Sequence, residues 1–296
     1  MRIGALEAGG TKMVCAIGNE KGEIFEKISI PTKTPETTMP EMIQWFKAKK
    51  IEALGIGCFG PIDPDKDSPT YGYITSTPKL AWKDYNIVGA FEECLCCPVG
   101  FDTDVNGSAL GEVTFGQAKG KKNIVYLTVG TGIGAGVYAE GKLLHGMLHP
   151  EAGHILMRRR EDDHYEGKCP YHKTCLEGLA AGPAIEERWG KKGIELQDRD
   201  EVWDLEAYYL AQALTDYILI LAPQLIILGG GVMHQEQLFT RIRAYVKEML
   251  NGYIKTKELE DIDQYRQVSM MIRGSWELLS LEEEPLKKRT VDKGRT

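Results

Sequence analysis

At 296 residues the chain has room for one large domain or two of ordinary size, with a real core. Hydrophobic residues at 43% and charged residues at 27% are those of an average globular protein and exclude wholesale disorder. A formal net charge of −7 makes the chain a poor non-specific partner for nucleic acid or anionic lipid.

The N-terminus reads as strand, glycine turn, strand: Arg2–Leu6, then Glu7–Lys12, then Met13–Ile17. Asn19-Glu20-Lys21-Gly22 predicts a hairpin turn, and Ile24–Ile30 alternates as a further strand. Pro40–Lys49 predicts a helix with Pro40 in its first turn. A strand at Ala53–Ile56, a helix around Val88–Glu93 and a strand at Val99–Phe101 follow, the last ending at Asp102-Thr103-Asp104. A helix is expected to begin near Asn106. Near residue 115 the pattern restarts with a strand at Asn123–Val129, a glycine turn at Gly130–Gly136 and a strand at Val137–Ala139. Helices are expected near Pro183–Gly190, Val202–Ala222 and Gln235–Leu250, with a strand at Gln224–Leu228 that runs into Gly229-Gly230-Gly231. Two similar halves, each opening on a hairpin around glycines, imply a duplicated α/β domain with a cleft between the copies.

Met1-Arg2 leads straight into a strand-like run with no signal-peptide pattern, and the longest apolar run, near Tyr217–Ala222, is far too short to span a bilayer. Cytoplasm is the expected compartment, so the seven cysteines read as thiols or metal ligands. Cys94, Cys96 and Cys97 read as buried thiols at a helix end.

Glycine lets backbone amides approach phosphate oxygens without a Cβ in the way, and threonine hydroxyls add donors. Glu7–Lys12 and Gly130–Gly136 are therefore a candidate pair of phosphate loops. Neither is a Walker loop, which needs Gly-Lys-Ser/Thr before a helix. Gly229-Gly230-Gly231 lies directly after a buried-looking strand, where α/β folds place ligands. His154, Cys169, His172 and Cys175 form the sharpest local pattern: Cys-x2-His-x2-Cys is metal spacing, and two thiolates with two imidazoles make a neutral tetrahedral Zn²⁺ site. His145, His149 and His164 lie nearby without matching spacing and stay outside this set. Asp102 and Asp104 are both candidate proton acceptors at a strand end, and spacing alone does not choose between them.

Taken together, Glu7-Ala8-Gly9-Gly10-Thr11-Lys12, Gly57–Asp63, Thr103-Asp104-Val105-Asn106, Thr131–Gly136, Glu151-Ala152-Gly153-His154 and Gly229–Gly231 resemble the ROK sugar kinases of the actin-like ATPase superfamily, and more narrowly their bacterial fructokinase branch. The resemblance covers about residues 2–265 in unbroken order. It implies a two-domain, ribonuclease H-like α/β fold with a central cleft, divided at 1–115 and 116–265. It implies that Gly9, Gly10, Thr11, Lys12, Thr131 and Gly132 cradle the phosphates of ATP, with Gly182, Pro183 and Gly229-Gly230-Gly231 completing the nucleotide site. Asp104 becomes the general base, and Gly60, Pro61, Asn106, Glu151, His154 and Glu177 the sugar-binding residues. Asn106 also suits a helix N-cap. Mg²⁺ accompanies ATP, and Zn²⁺ at His154, Cys169, His172 and Cys175 is read as structural, ordering the sugar loop.

The implied reaction is transfer of the γ-phosphoryl group of ATP to the 6-hydroxyl of fructose, with mannose or glucose as alternative substrates and a homodimer as the expected assembly. A sugar-responsive repressor, known in the same family, needs a DNA-binding element ahead of the first loop, which here starts at residue 7. A catalytically impaired sugar-binding protein is the third reading. It is raised by residues 266–296, where the likeness stops. Suitable codons for Arg266–Leu279, read in another frame, would encode the Pro-Gly-Leu segment, acidic turn and Gly/Ala-rich helix the family has there, so a frameshift near Tyr265 is the expectation. Sequencing the gene across that codon settles it.

Overall fold

The computed structural model of the chain describes residues 1–77, 79–256 and 259. The tail read as divergent therefore lies outside the described residues. β1 (Ile3–Ala8) and β2 (Lys12–Gly18) make the first hairpin, extended by β3 (Ile24–Pro31). α1 (Pro35–Lys49) starts five residues before its expected start, with Pro35 in the first turn and Pro40 inside the helix. Inside the helix Pro40 forfeits one backbone hydrogen bond to the preceding turn and its ring crowds the carbonyl of Glu36. β4 (Ala53–Cys58), a short hairpin of β5 (Tyr73–Ile74) and β6 (Tyr85–Asn86), α2 (Ile87–Leu95), β7 (Val99–Thr103) and α3 (Asp104–Thr114) complete the first half. Its sheet runs β3-β2-β1-β4-β7, with β4 and β7 parallel to β1.

The second half repeats the opening. β8 (Ile124–Val129) and β9 (Ile133–Ala139) form its hairpin, followed by β10 (Lys142–Leu143). β9 begins four residues before its expected start, so of the second glycine run only the 130–132 stretch turns. Gly134 and Gly136 are strand residues, and the reason is close packing: a Cβ built on Gly136 would lie 2.0 Å from the carbonyl oxygen of Val105. Then come α4 (Leu176–Ala180), α5 (Gly182–Trp189), the long α6 (Asp200–Leu221), β11 (Leu225–Gly229) and α7 (Gln237–Leu250). This sheet runs β10-β9-β8-β11, with β11 parallel to β8.

Each sheet has its own core. One gathers Leu6, Phe46, Trp82, Phe91 and their neighbours, all at or before Phe101. The other gathers Val125, Leu179, Trp203, Tyr209 and Val246. α3 sits between them: its Ala109 packs with Ile124 and Ile227 of the second sheet, while its N-terminus grows out of β7 in the first. The Cys94–Cys97 group ends α2 but is not buried as expected; Cys96 is exposed and the other two are half-buried. No helix among the described residues is long and apolar enough to cross a membrane.

Candidate active site

Parallel strands β1, β4 and β7 end at one edge, and their register aligns Glu7 with Gly57 and Gly57 with Asp102. Carboxyl ends of parallel strands are where α/β sheets present ligands. Asp102 and Asp104 part company here. The chain turns from strand to helix at Thr103, whose hydroxyl caps α3 by accepting from the Asn106 N–H at 3.1 Å. The cap is thus Thr103 and not Asn106. The turn breaks the strand alternation on which the two aspartates shared a face.

Asp102 is buried and fully engaged. Its Oδ1 accepts from the Thr103 N–H and from Asn106 Nδ2, both at 2.7 Å, and its Oδ2 lies 2.8 Å from His145 Nε2. Asn106 is itself buried, with its Oδ1 lacking a hydrogen-bond partner. Asp104, the first residue of α3, keeps a partly solvent-facing side chain that accepts from the Val105 N–H at 2.9 Å. Burial pushes its carboxyl up to about 7, the Val105 amide pulls against that, and the charges of Glu7 and Glu151 raise it further. Burial likewise raises Glu7. A carboxylate that titrates near neutrality beside two other carboxyls can take and release a proton at physiological pH.

The first glycine loop is a tight hairpin, closed by the Gly9 N–H donating to the Lys12 carbonyl at 3.1 Å and held from outside by the Thr32 hydroxyl on the Gly9 carbonyl. Lys79, which no motif in the sequence marks, lies against it: a Cβ on Gly10 would be 3.2 Å from Lys79 Cε and 4.0 Å from its Nζ. The second loop gathers the other glycines. Gly182 at the start of α5 donates its N–H to the Gly130 carbonyl at 2.8 Å, and a Cβ on Gly130 would sit 3.8 Å from the Gly231 amide nitrogen. Gly132, Gly182, Pro183 and Gly229-Gly230-Gly231 therefore border one region. Gly230, at φ 91°, needs its lack of side chain. Glu177 Oε2 accepts from the Ile133 N–H at 2.9 Å, which ties α4 to the same loop.

Of the residues expected to bind the sugar, Glu151 lies close enough to Asp104 for its charge to raise that carboxyl. Gly60-Pro61, joined by a cis peptide, follow β4. Glu151 and His154 flank Gly153, which backs onto β9 so closely that a Cβ would lie 1.8 Å from the Ile133 carbonyl oxygen. His149, which has no telling spacing in the sequence, joins these two groups. It is buried, its Nε2 accepts from the Ile62 N–H at 3.3 Å and its Nδ1 lies 3.6 Å from Glu151 Oε1. His145 and His149 were both invisible because their partners lie 43 and 87 residues away.

His154, Cys169, His172 and Cys175 present ligand atoms that all lie within 4.8 Å of one another. Cys169 Sγ is 3.8 Å from both His154 Nδ1 and His172 Nδ1, and Cys175 Sγ is 3.6 Å from His154 Nδ1. Tetrahedral Zn²⁺, with Zn–S of about 2.3 Å and Zn–N of about 2.0 Å, sets sulfur and nitrogen ligands about 3.5 Å apart. The four side chains fit that ion in number, type and spacing. His154 faces the thiols through Nδ1, leaving Nε2 on the other side of the ring.

The ROK family model matches residues 3–274, past Tyr265. The chain belongs to the ROK family. A relative from Bacillus subtilis (strain 168) is 56% identical over 264 residues, covering 89% of this chain and 88% of its own. The fructokinase of Pediococcus pentosaceus is 46% identical over 261 residues, 88% of this chain and 91% of that one. The ROK hexokinase of Thermus thermophilus superposes with a TM-score of 0.73 at 25% identity, covering 95% of this chain and 96% of that one. The two-sheet α/β architecture is accordingly the actin-like fold of ROK kinases.

Proposed function

We propose that this ROK protein is an ATP-dependent fructokinase that phosphorylates the sugar at its 6-hydroxyl. The observation that carries the chemistry is Asp104: a half-buried carboxyl titrating near 7, at the strand-to-helix junction where the two lobes meet, with Glu7 and Glu151 acting on it. In this reading Asp104 accepts the proton of the 6-hydroxyl as that oxygen attacks the γ-phosphorus. The choice of fructose is supported by the likeness to the Pediococcus fructokinase over most of both chains.

The lobes are taken as 1–115 and 116–265, with the cleft between them. Gly9, Gly10, Thr11, Lys12, Thr131 and Gly132 hold the phosphates through backbone amides and hydroxyls, with Lys79 adding a cation over the first loop. Gly182, Pro183 and Gly229-Gly230-Gly231 border the adenosine. Mg²⁺ bound to ATP would supply positive charge to the transferring group. Gly60, Pro61, Asn106, Glu151, His154 and Glu177 hold the hexose, and closure of the lobes excludes water that would otherwise hydrolyse ATP. His154, Cys169, His172 and Cys175 would hold Zn²⁺, which staples a loop with little core of its own and orients the His154 ring toward the sugar.

The test is ADP release from MgATP with fructose, mannose and glucose offered separately, with the product's phosphate position read by NMR. Turnover highest on fructose, with the phosphate on O6, supports the reading. Turnover highest on glucose or mannose keeps the kinase and replaces the sugar. No hexose-dependent ADP release removes the reading.

A further inference from the structure

His149 is a buried titratable side chain to which the proposed kinase chemistry assigns no role. His149 is 6% exposed and sits in a segment that crosses from β10 to Glu151. It touches three things, and all three belong to the sugar side. Its Nε2 accepts the Ile62 N–H at 3.3 Å, its Nδ1 lies 3.6 Å from Glu151 Oε1, and a Cβ placed on Gly60 would be 3.3 Å from its Cε1.

Because Nε2 accepts, it carries no proton. In neutral imidazole the proton is then on Nδ1, the nitrogen that faces Glu151. The two sides of the ring face different elements: Nε2 takes a hydrogen bond from the backbone of the Gly60–Ile62 loop, and Nδ1 faces the Glu151 carboxylate at 3.6 Å, close enough for electrostatic attraction though outside hydrogen-bond length. Glu151 needs such a partner. Its side chain is 42% exposed, and a glutamate in water samples many rotamers unless something holds it. Hexoses that differ in one hydroxyl are told apart by how accurately such hydrogen-bonding groups are placed.

We propose that His149 is a positioning residue of the hexose site: it aims the Glu151 carboxylate at the sugar and fixes the Gly60–Ile62 loop against it, so that it sets hexose affinity and selectivity. It does not touch the reacting atoms. Its action passes through Glu151 and Ile62. The proposal rests on the sugar-kinase reading and deepens it.

Three variants separate the two contacts. His149→Ala removes both. His149→Asn can keep a donor where Nδ1 was, toward Glu151; His149→Gln can keep an acceptor where Nε2 was, toward Ile62. Fructose affinity by titration calorimetry and steady-state kinetics are measured for each, with zinc content and Tm as controls for folding. His149→Ala is expected to weaken fructose binding and raise its KM about 10–100-fold, the loss of one buried hydrogen bond and of the electrostatic contact that holds Glu151. The KM for MgATP should stay within about twofold. His149→Asn should recover more of the fructose affinity than His149→Gln, and preference for fructose over mannose should fall most in His149→Ala. A folded His149→Ala that binds fructose as the wild type does overturns the proposal, as does an equal loss in all three variants. If the wild type binds no hexose, the kinase reading falls and this proposal with it; wild-type binding with an unchanged alanine variant removes the proposal alone.

Discussion

The Oδ2 of Asp102 meets the Nε2 of His145 at 2.8 Å, while the other oxygen of the same carboxylate holds Asn106. This contact separates two aspartates that lie two residues apart. Asp102 is saturated with donors and organises the start of α3; Asp104, without those partners, is left with a raised pKa.

Asp102→Ala should therefore impair the enzyme without removing its base. Asn106 and His145 lose a shared anchor, and kcat/KM for fructose is expected to fall about 10–100-fold, the scale of a misplaced positioning group. The midpoint of the pH profile should stay near that of the wild type. Steady-state rates across pH check this; a loss as deep as that of Asp104→Asn would put the two residues in one role.

Asp104 is held in a place that disfavours its charge, so removing that charge should stabilise the fold. Its carboxyl moves from an ordinary 3.8 to about 7 in the folded chain. A raised carboxyl pKa favours folding below the unfolded value and costs stability as pH rises toward the folded one. Asp104→Asn should thus be more stable than the wild type at pH 8, by about 2 kcal/mol once the partly solvent-facing carboxyl is allowed for. The gain should shrink as pH falls from 7 toward 3.8. Denaturant melts at pH 8 and pH 5 read the difference.

Zinc is expected at one ion per chain, measured by elemental analysis of the purified protein. Cys169→Ser and Cys175→Ser should each lose it and lower Tm by several degrees. Because His154 would serve both metal and sugar, the KM for fructose should rise more than the KM for MgATP. Full zinc occupancy in both serine variants would remove these ligands from consideration.

Gly153→Ala tests the packing of the sugar loop on β9. The new methyl would lie 1.8 Å from the Ile133 carbonyl oxygen, which belongs to rigid strand backbone. A loss of about 2–4 kcal/mol in folding stability is expected, with impaired hexose binding in whatever folds. Gly120→Ala is a useful contrast for sterics alone: nothing lies within 4 Å of its Cβ, though its φ of 82° imposes strain of about 1 kcal/mol.

Much of this site was legible because it is local in sequence. The paired hairpins, the Gly229-Gly230-Gly231 run after its strand and the four His and Cys side chains with metal spacing declare themselves in the sequence, while Gly182 and Pro183 came from the family resemblance; the structure brings the four His and Cys together and sets Gly182 and Gly231 against Gly130. What was not legible depends on turns and on distant contacts. The Asp102–Asp104 choice could not be made from strand alternation, since Thr103 caps a helix two residues before its expected start. α1 started early because Pro35 and Pro40 are both compatible with a first turn, and only the observed Thr34 cap position decides. α4 was hidden in a stretch dominated by metal ligands, where Cys175 itself caps the helix by accepting from the Gly178 N–H. Lys79, His145 and His149 owe their positions to partners far along the chain.

The most direct measurement is the pH dependence of kcat/KM for fructose in the wild type beside Asp104→Asn. With Asp104 as the base, log kcat/KM should rise with unit slope and level off near pH 7, as the carboxyl loses its proton. Asp104→Asn should lose about 10²–10⁴-fold and the slope with it. A folded Asp104→Asn protein within about tenfold of the wild type, or one that keeps the same midpoint, would show that another group takes the proton.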